Sequence, residues 1–483
     1  MASTMAWAHK IFDGQWRTGG GGTLDVVAPA TAEGIATVGA ADVGDFDRAV
    51  AKAVSAQREW AAKPYTERAS VMTAAAALLA ADPERLSRWL VPESGSSQGK
   101  AGGEVQLVAA ELAEAANLAS QPYGQVLRSA KSRFSVGRYV PVGVVGVISP
   151  FNFPALLSMR SVAPALAVGN AVVLKPDPRT PISGGLALAE LFAEAGLPEG
   201  LLHVLPSGAD VGAALVAHPD VPCISFTGST SAGRRIGEAA APLLKKVHLE
   251  LGGNNAFLVL PDADISAAAS AGAWGSFLHQ GQICMASGRH LIPEHLAEEY
   301  IGKLAEIATR ITVGDPSDPS NALGPIIDEN QLKRVDGIVQ ATLTAGADLA
   351  AGGTYEDLYY RPTVLGNVPK DSPAFTEEIF GPVAPVTTYR TVDEAIDIVN
   401  SSEFGLSVSI LTANPFKAFE LADRIRSGAV HINDQTVDDE AVAPFGGVKS
   451  SGSGGHFGST VNLDTFCDLQ WVTMQSDIEK YPF

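Results

Sequence analysis

A thiol, a carboxylate and a side-chain amide sit in short motifs whose chemistry can be read before any fold is assumed. Cys284 closes Gly-Gln-Ile-Cys, residues 281–284, a polar turn after a helical stretch that could expose the sulfur. A thiolate is a strong nucleophile, although a lone cysteine is more often a small buried hydrophobe. Glu250 opens Glu-Leu-Gly-Gly-Asn-Asn (250–255) at the end of the apolar run Val247–Leu249, where the glycines let backbone approach a ligand. Beside a thiol, such a carboxylate can serve as general base for water attacking an acyl-enzyme. The plainer reading is a solvated charge at a strand end. Asn152 is displayed by Pro150-Phe-Asn-Phe-Pro154. Its amide can donate to a developing oxyanion, or it can simply bond its own turn. Phe226-Thr-Gly-Ser-Thr-Ser-Ala-Gly233 follows a strand and opens a helix, so its free N–H groups suit a diphosphate. It is not a G-x-G-x-x-G fingerprint, and a Ser/Thr helix cap explains it equally well.

These groups need a scaffold, and the apolar pattern supplies one. Residues 44–62, 66–90 and 103–119 read as helices, the first two alanine-rich with apolar positions three and four apart. Short apolar runs at Val142–Ser149, Ala171–Leu174, Leu202–Val204, Cys223–Phe226, Val247–Leu249 and Ala256–Leu260 alternate with helical segments at 181–196 and from Ser231. That alternation predicts βαβ units and a doubly wound parallel sheet. A second α/β region follows over about 265–445, with helices at 295–310, 329–345 and 415–427. Ser132–Pro141 and Phe466–Thr473 alternate apolar and polar residues, as ribbons that pair between subunits do, or as an ordinary surface hairpin does.

At 483 residues the chain needs two or three cores. Its net charge of −19 excludes sequence-independent nucleic-acid binding and docking on anionic lipid. Val140–Leu157 is apolar enough to suggest a membrane span, but Pro141, Pro150, Pro154, Gly143 and Gly146 break it. Cys223, Cys284 and Cys467 form no C-x-x-C pair, and no signal peptide is read, so a reducing, cytoplasmic location is expected. No His/Cys/carboxylate cluster has metal-ligand spacing, so no metal is expected.

Taken together, the motifs resemble one family, the NAD(P)-dependent aldehyde dehydrogenases, over nearly the whole chain. Pro-Phe-Asn-Phe-Pro, Leu174-Lys-Pro176, Phe-Thr-Gly-Ser-Thr, Glu-Leu-Gly-Gly and Gly-Gln-Ile-Cys occur in family order, followed by Glu377-Glu-Ile-Phe-Gly-Pro382 and Pro444-Phe-Gly-Gly-Val-Lys-Ser-Ser-Gly452. The resemblance implies an α/β fold with a Rossmann-type cofactor domain (1–119 and 142–251), a catalytic domain (252–450) and a small β oligomerisation element (120–141 and 460–483). It implies homodimers or homotetramers. By the same matching, the Cys284 thiolate attacks the aldehyde carbon, while Asn152 and the Cys284 N–H hold the thiohemiacetal oxyanion. Glu250 activates the water that hydrolyses the thioester. Lys175 holds the adenosine ribose, Ser229 the diphosphate, and Glu378 and Phe380 the nicotinamide ribose and ring. Pro150, Phe151, Gly228, Gly233 and Gly252 belong to the same cofactor surface.

Three positions depart from the family pattern. Where many NAD-using members carry a glutamate that repels a 2′-phosphate, this chain has Pro178 followed by Arg179, so acceptance of NADP, alone or alongside NAD, is expected. Arg179 would pair with the phosphate, or be a solvated turn residue. Ser161 and His456 replace a lysine and a glutamate of many relatives, leaving the proton exit open. Arg160 falls where the family lines its substrate tunnel, to meet a polar ring substituent or, more simply, to form an ion pair. Leu156–Pro164 and 174–181 look like the subgroup acting on benzaldehyde, vanillin and salicylaldehyde, with Phe151, Phe153, Ile283 and Met285 near a flat ring. Aliphatic and semialdehyde substrates are the rivals. A CoA-acylating enzyme usually lacks the deacylating glutamate, and a non-catalytic relative would be expected to have lost the nucleophile or base.

Overall fold

The computed structural model describes residues 5–483. Five β-branched runs form the parallel part of one sheet, in the spatial order Lys246–Glu250, Cys223–Thr227, Val144–Ile148, Ala171–Lys175, Leu202–Val204. Ile11–Phe12 and Trp16–Arg17 extend its far edge antiparallel. The chain winds outward from Val144–Ile148 in one direction, then returns to Cys223–Thr227 and winds outward in the other. The neighbours Val144–Ile148 and Cys223–Thr227 therefore flank the reversal, where the carboxyl ends of an open α/β sheet leave a crevice.

The second sheet runs Asp348–Ala351, Thr363–Gly366, Val383–Tyr389, Ser287–Pro293, Asn255–Val259, Ser407–Leu411, Ala429–Ile432. The alternation of the first sheet was expected to continue through 256–260, but Asn255–Val259 belongs to this second sheet. Lys246–Glu250 is a partly buried edge strand and Asn255–Val259 is buried throughout, and the turn Gly252-Gly253-Asn254 lies between them. Helical expectations needed smaller adjustments. The stretch 66–90 is two helices, Tyr65–Ala81 and Glu84–Ser94, parted at Asp82-Pro83. The next begins at Gln98, capped by the Ser97 side chain. The 181–196 segment opens as a π-turn, Ile182–Leu186, before the α-helix Ala187–Glu194, and the last predicted helix stops at Ala422.

Helix Pro154–Ala167 is buried along its whole length, so it is apolar all round and its few polar side chains must find partners inside. A third, small sheet pairs Cys467–Met474 antiparallel with Phe134–Pro141, which also pairs with Gly124–Val126. The two ribbons seen in the sequence thus join each other, in register from Cys467↔Pro141 to Met474↔Phe134. Among the described residues no helix is long and apolar enough to cross a membrane.

Candidate active site

A cavity of about 640 Å³ opens at the carboxyl ends of the two reversal strands, and Asn152, Glu250 and Cys284 all line it. Each is held there by a different device.

Asn152 lies in the turn that closes Val144–Ile148. The buried Lys100 ammonium donates to its carbonyl at 2.7 Å and to Glu104 at 2.6 Å. Glu104 in turn accepts the Ala155 and Leu156 N–H groups at 2.9 and 3.1 Å. Those N–H groups open a buried helix and would otherwise be orphaned. The Asn152 amide donates to the Gln282 carbonyl at 2.9 Å, which ties the turn to the segment that carries Cys284.

Cys284 follows three successive left-handed residues, His279, Gln280 and Gly281, with φ of 49°, 57° and 64°. Non-glycine residues in that region cost about 1–2 kcal/mol each. The turn is held by Gln280, which donates to the Gly95 carbonyl, and by Gln282, which accepts the Ile327 N–H. At Gly281 a Cβ would stand 2.1 Å from the Gly381 carbonyl oxygen, so only glycine fits. Asn255 then donates to the carbonyls of both Cys284 and Ala286 at 2.8 Å, fixing the backbone around the sulfur. Cys284 is partly exposed on the cavity wall. Burial, and after it the Glu378 carboxylate, pushes its thiol up to about 12, so the resting sulfur is protonated.

Glu250 ends the edge strand of the first sheet and is 3% exposed. Its carboxylate meets His248 Nε2 at 3.1 Å and accepts the Gly447 N–H at 3.3 Å. Burial raises the carboxyl above its ordinary range, against the opposing pull of His248 and Arg160.

The rest of the cavity suits a dinucleotide. Ser229 caps helix Thr230–Ala240, whose amino end faces the crevice, and Lys175, Phe151, Gly228 and Phe380 line it too. Burial lifts the Glu378 carboxyl to about 7, and the Gly253 N–H donates to it at 3.0 Å. At Gly252 a Cβ would lie 2.2 Å from Glu378 Oε2, so the carboxylate occupies space only glycine leaves.

Not every residue singled out from sequence reaches this cavity. Pro150 does, but Pro178, Gly233, Phe153, Arg160, Ile283 and Met285 do not line it. Gly233 packs on Leu251. The Phe153 ring lies under the Lys100 ammonium, 4.0 Å from its centroid, and Ile283 and Met285 are buried. Arg160 forms ion pairs with Glu111 and Asp439 beneath the Phe445 ring, so its guanidinium is committed to structure. Arg179 is likewise engaged. It makes a two-pronged pair with Asp177, bonds Asp328 at 2.7 Å and stacks 4.1 Å from the Phe151 centroid. Burial opposes its charge, yet the two carboxylates raise it above the ordinary guanidinium range. Ser161 shares a hydrogen bond with Ser225 at 2.9 Å. Sequence reasoning passed over Lys100, Glu104, Asn255 and His248. The last had a signal, since His248 and Glu250 are two apart on a strand and so share a face.

The fold and this crevice fit a dehydrogenase, and residues 16–472 match the aldehyde dehydrogenase family, to which the chain belongs. It is 54% identical to vanillin dehydrogenase of Amycolatopsis sp., over 99% of this chain and 98% of that one. It is 48% identical to the NAD(+) benzaldehyde dehydrogenase of Pseudomonas putida, with the same coverage. Succinate-semialdehyde dehydrogenase of Burkholderia pseudomallei superposes with a TM-score of 0.95 at 32% identity, over 98% of this chain and 99% of that one. The shared fold therefore does not choose the substrate.

Proposed function

We propose that this chain oxidises an aromatic aldehyde of the benzaldehyde or vanillin type to its carboxylic acid, with Cys284, Asn152 and Glu250 as the catalytic groups. The carrying observation is that the three line one cavity at the reversal of the first sheet. Cys284 Sγ attacks the aldehyde carbon after losing its proton, and the oxyanion is received by the Asn152 amide and the Cys284 N–H. The dinucleotide supplies the acceptor for the hydride. Glu250 then takes a proton from the water that attacks the thioester, and the thiolate leaves.

The aromatic assignment rests on the vanillin and benzaldehyde relatives, and Phe151, Leu157 and Phe404 give the cavity apolar wall. For the cofactor we infer a preference for NAD. A 2′-phosphate at Arg179 would have to displace Asp177 or Asp328 and then sit beside the freed carboxylate. Benzaldehyde, vanillin, hexanal and succinic semialdehyde assayed with each cofactor test both points. The expected result is higher kcat/KM for the aromatic pair and for NAD. A clear preference for succinic semialdehyde, or for NADP, would overturn the corresponding half.

The small sheet exposes Val126, Leu469 and Trp471, large apolar side chains that a partner copy would cover, and we infer a homo-oligomer. Sedimentation velocity should show a dimer or larger, and Leu469→Asp with Trp471→Asp should shift it to monomer; a monomeric parent ends the idea. Three unpaired cysteines suit a reducing cytoplasm, where they persist as thiols.

A further inference from the structure

The first turn of helix Gln98–Leu118 carries Lys100, a cation at the end of the helix whose dipole repels it. Its side chain is 2% exposed, and that of its partner Glu104 is wholly buried. Burial pulls the ammonium below its ordinary range, and the Glu104 carboxylate opposes this. Three electron-rich groups surround Nζ: Glu104 Oε2 at 2.6 Å, the Asn152 carbonyl at 2.7 Å, and the Phe153 ring, 4.0 Å to its centroid. An ammonium meets them with three N–H groups, whereas a neutral amine would turn its lone pair on one of them. Well-packed apolar residues in place of a buried ion pair are often neutral or stabilising, so packing alone does not call for these two charges. What the pair does hold is the segment that displays Asn152. Lys100 grips the Asn152 carbonyl, and Glu104 Oε1 accepts the Ala155 and Leu156 N–H groups, so Asn152-Phe-Pro-Ala-Leu156 is clamped at both ends. The Phe153 ring between them packs edge-on against His279, 5.6 Å between centroids, at the start of the turn that leads to Cys284. The Gln282 carbonyl takes one N–H of the Asn152 amide at 2.9 Å. With backbone and side chain both fixed, the second N–H of that amide has a set direction beside the cavity that Asn152 lines.

We propose that the buried Lys100–Glu104 pair is retained to aim the Asn152 amide at the oxyanion, which makes Lys100 a positioning residue acting through Asn152. The inference rests on the oxyanion role given to Asn152 above. A hydrogen bond to a developing charge weakens when its donor drifts or tilts, and misplacement by about 1 Å at a reacting centre costs up to about 10²-fold in rate. The loss falls in the transition state, where the oxyanion forms, and not on the bound aldehyde. Removing the Lys100 charge should thus slow the first turnover at saturating aldehyde. The half-saturating aldehyde concentration and the affinity for the dinucleotide should stay near the parent's.

Rapid mixing of the enzyme–NAD+ complex with benzaldehyde, followed as reduced dinucleotide, reads that first turnover apart from product release. Lys100→Met leaves Glu104 its two N–H partners. Lys100→Met with Glu104→Gln removes both buried charges and keeps an oxygen for those N–H groups. Both variants should bind NAD+ as the parent does. Their first turnover should fall about tenfold, less than the roughly 10²–10³ expected when Asn152→Ala deletes the donor itself. If Lys100→Met alone melts too low to assay, the double variant carries the measurement. The decisive readout is a cycle with Asn152→Ala, since a group that acts through another has nothing left to add once that other is gone. In the Asn152→Ala background, Lys100→Met should cost less than about twofold more. A parental first turnover in both lysine variants would overturn the proposal. So would an equal fall repeated in the Asn152→Ala background, which is what general loosening of the fold produces. Asn152→Ala at the parental rate removes the oxyanion role of Asn152, whereas a slow Asn152→Ala with unaffected lysine variants removes only the role of Lys100.

Discussion

Replacing Cys284 with alanine should reduce aldehyde oxidation by about 10⁴–10⁶-fold, the range seen when a covalent nucleophile is deleted, while leaving dinucleotide binding nearly intact. Serine should do little better, because its hydroxyl ionises even less readily. The pH dependence supplies an independent readout. With the thiol raised to about 12, the thiolate fraction grows about tenfold per pH unit across the neutral and mildly alkaline range. Iodoacetamide labelling of the cofactor-free enzyme should therefore accelerate by that factor between pH 7 and 10 and show no plateau. Cys223 and Cys467 are buried, and burial pushes each up to about 12, so neither should compete. Cys284→Ala should abolish the labelling. Oxidation at full speed in either variant, or labelling that plateaus near neutrality, would refute the assignment.

Glu250→Gln should trap the acyl-enzyme. One equivalent of reduced dinucleotide per subunit should form, after which steady turnover runs about 10²–10⁴-fold below the parent. The working base is the ionised carboxyl, whose value burial raises, so the parent's turnover should fall as pH drops through that raised value. Stability follows the opposite sign. A carboxyl whose folded-state value lies above its unfolded value favours folding at low pH, and that advantage is lost as pH rises through the folded value. Glutamine carries no such penalty, so the variant should melt no lower than the parent at neutral pH. Turnover at the parental rate would exclude Glu250, and a lost burst with equally slow acylation would make it the base for the thiol instead.

The elements that make the crevice were legible because each is a short β-branched run punctuated by Gly, Pro or Ser, and because strands alternating with helices leave few topologies. Asn152, Glu250 and Cys284 were legible because each ends such a punctuation. What stayed hidden was decided by partners distant in the chain. Nothing near Arg160 announces Asp439, and nothing near Arg179 announces Asp328, 149 residues on. A local pattern therefore gave Arg160 an ion pair without naming its partners, and left Arg179 between a phosphate contact and a solvated turn when the folded chain had paired it with two carboxylates. The sheet change at Gly252–Asn254 was invisible for another reason. A strand buried on both faces, as Asn255–Val259 is, looks alike whichever sheet it joins, and only its pairing with Ser287–Pro293 and Ser407–Leu411 places it in the second. Asn255 was read as part of a motif, but its grip on Cys284 and Ala286 depends on a turn whose left-handed backbone no propensity foretells.

The seat of the catalytic carboxylate is completed late in the chain. The Gly447 N–H donates to Glu250, Gly452 bridges it, and Ser451 accepts the Leu251 N–H, all from residues about two hundred positions downstream. Cutting the chain before that loop would thus strip Glu250 of both its Gly447 donor and its Gly452 bridge.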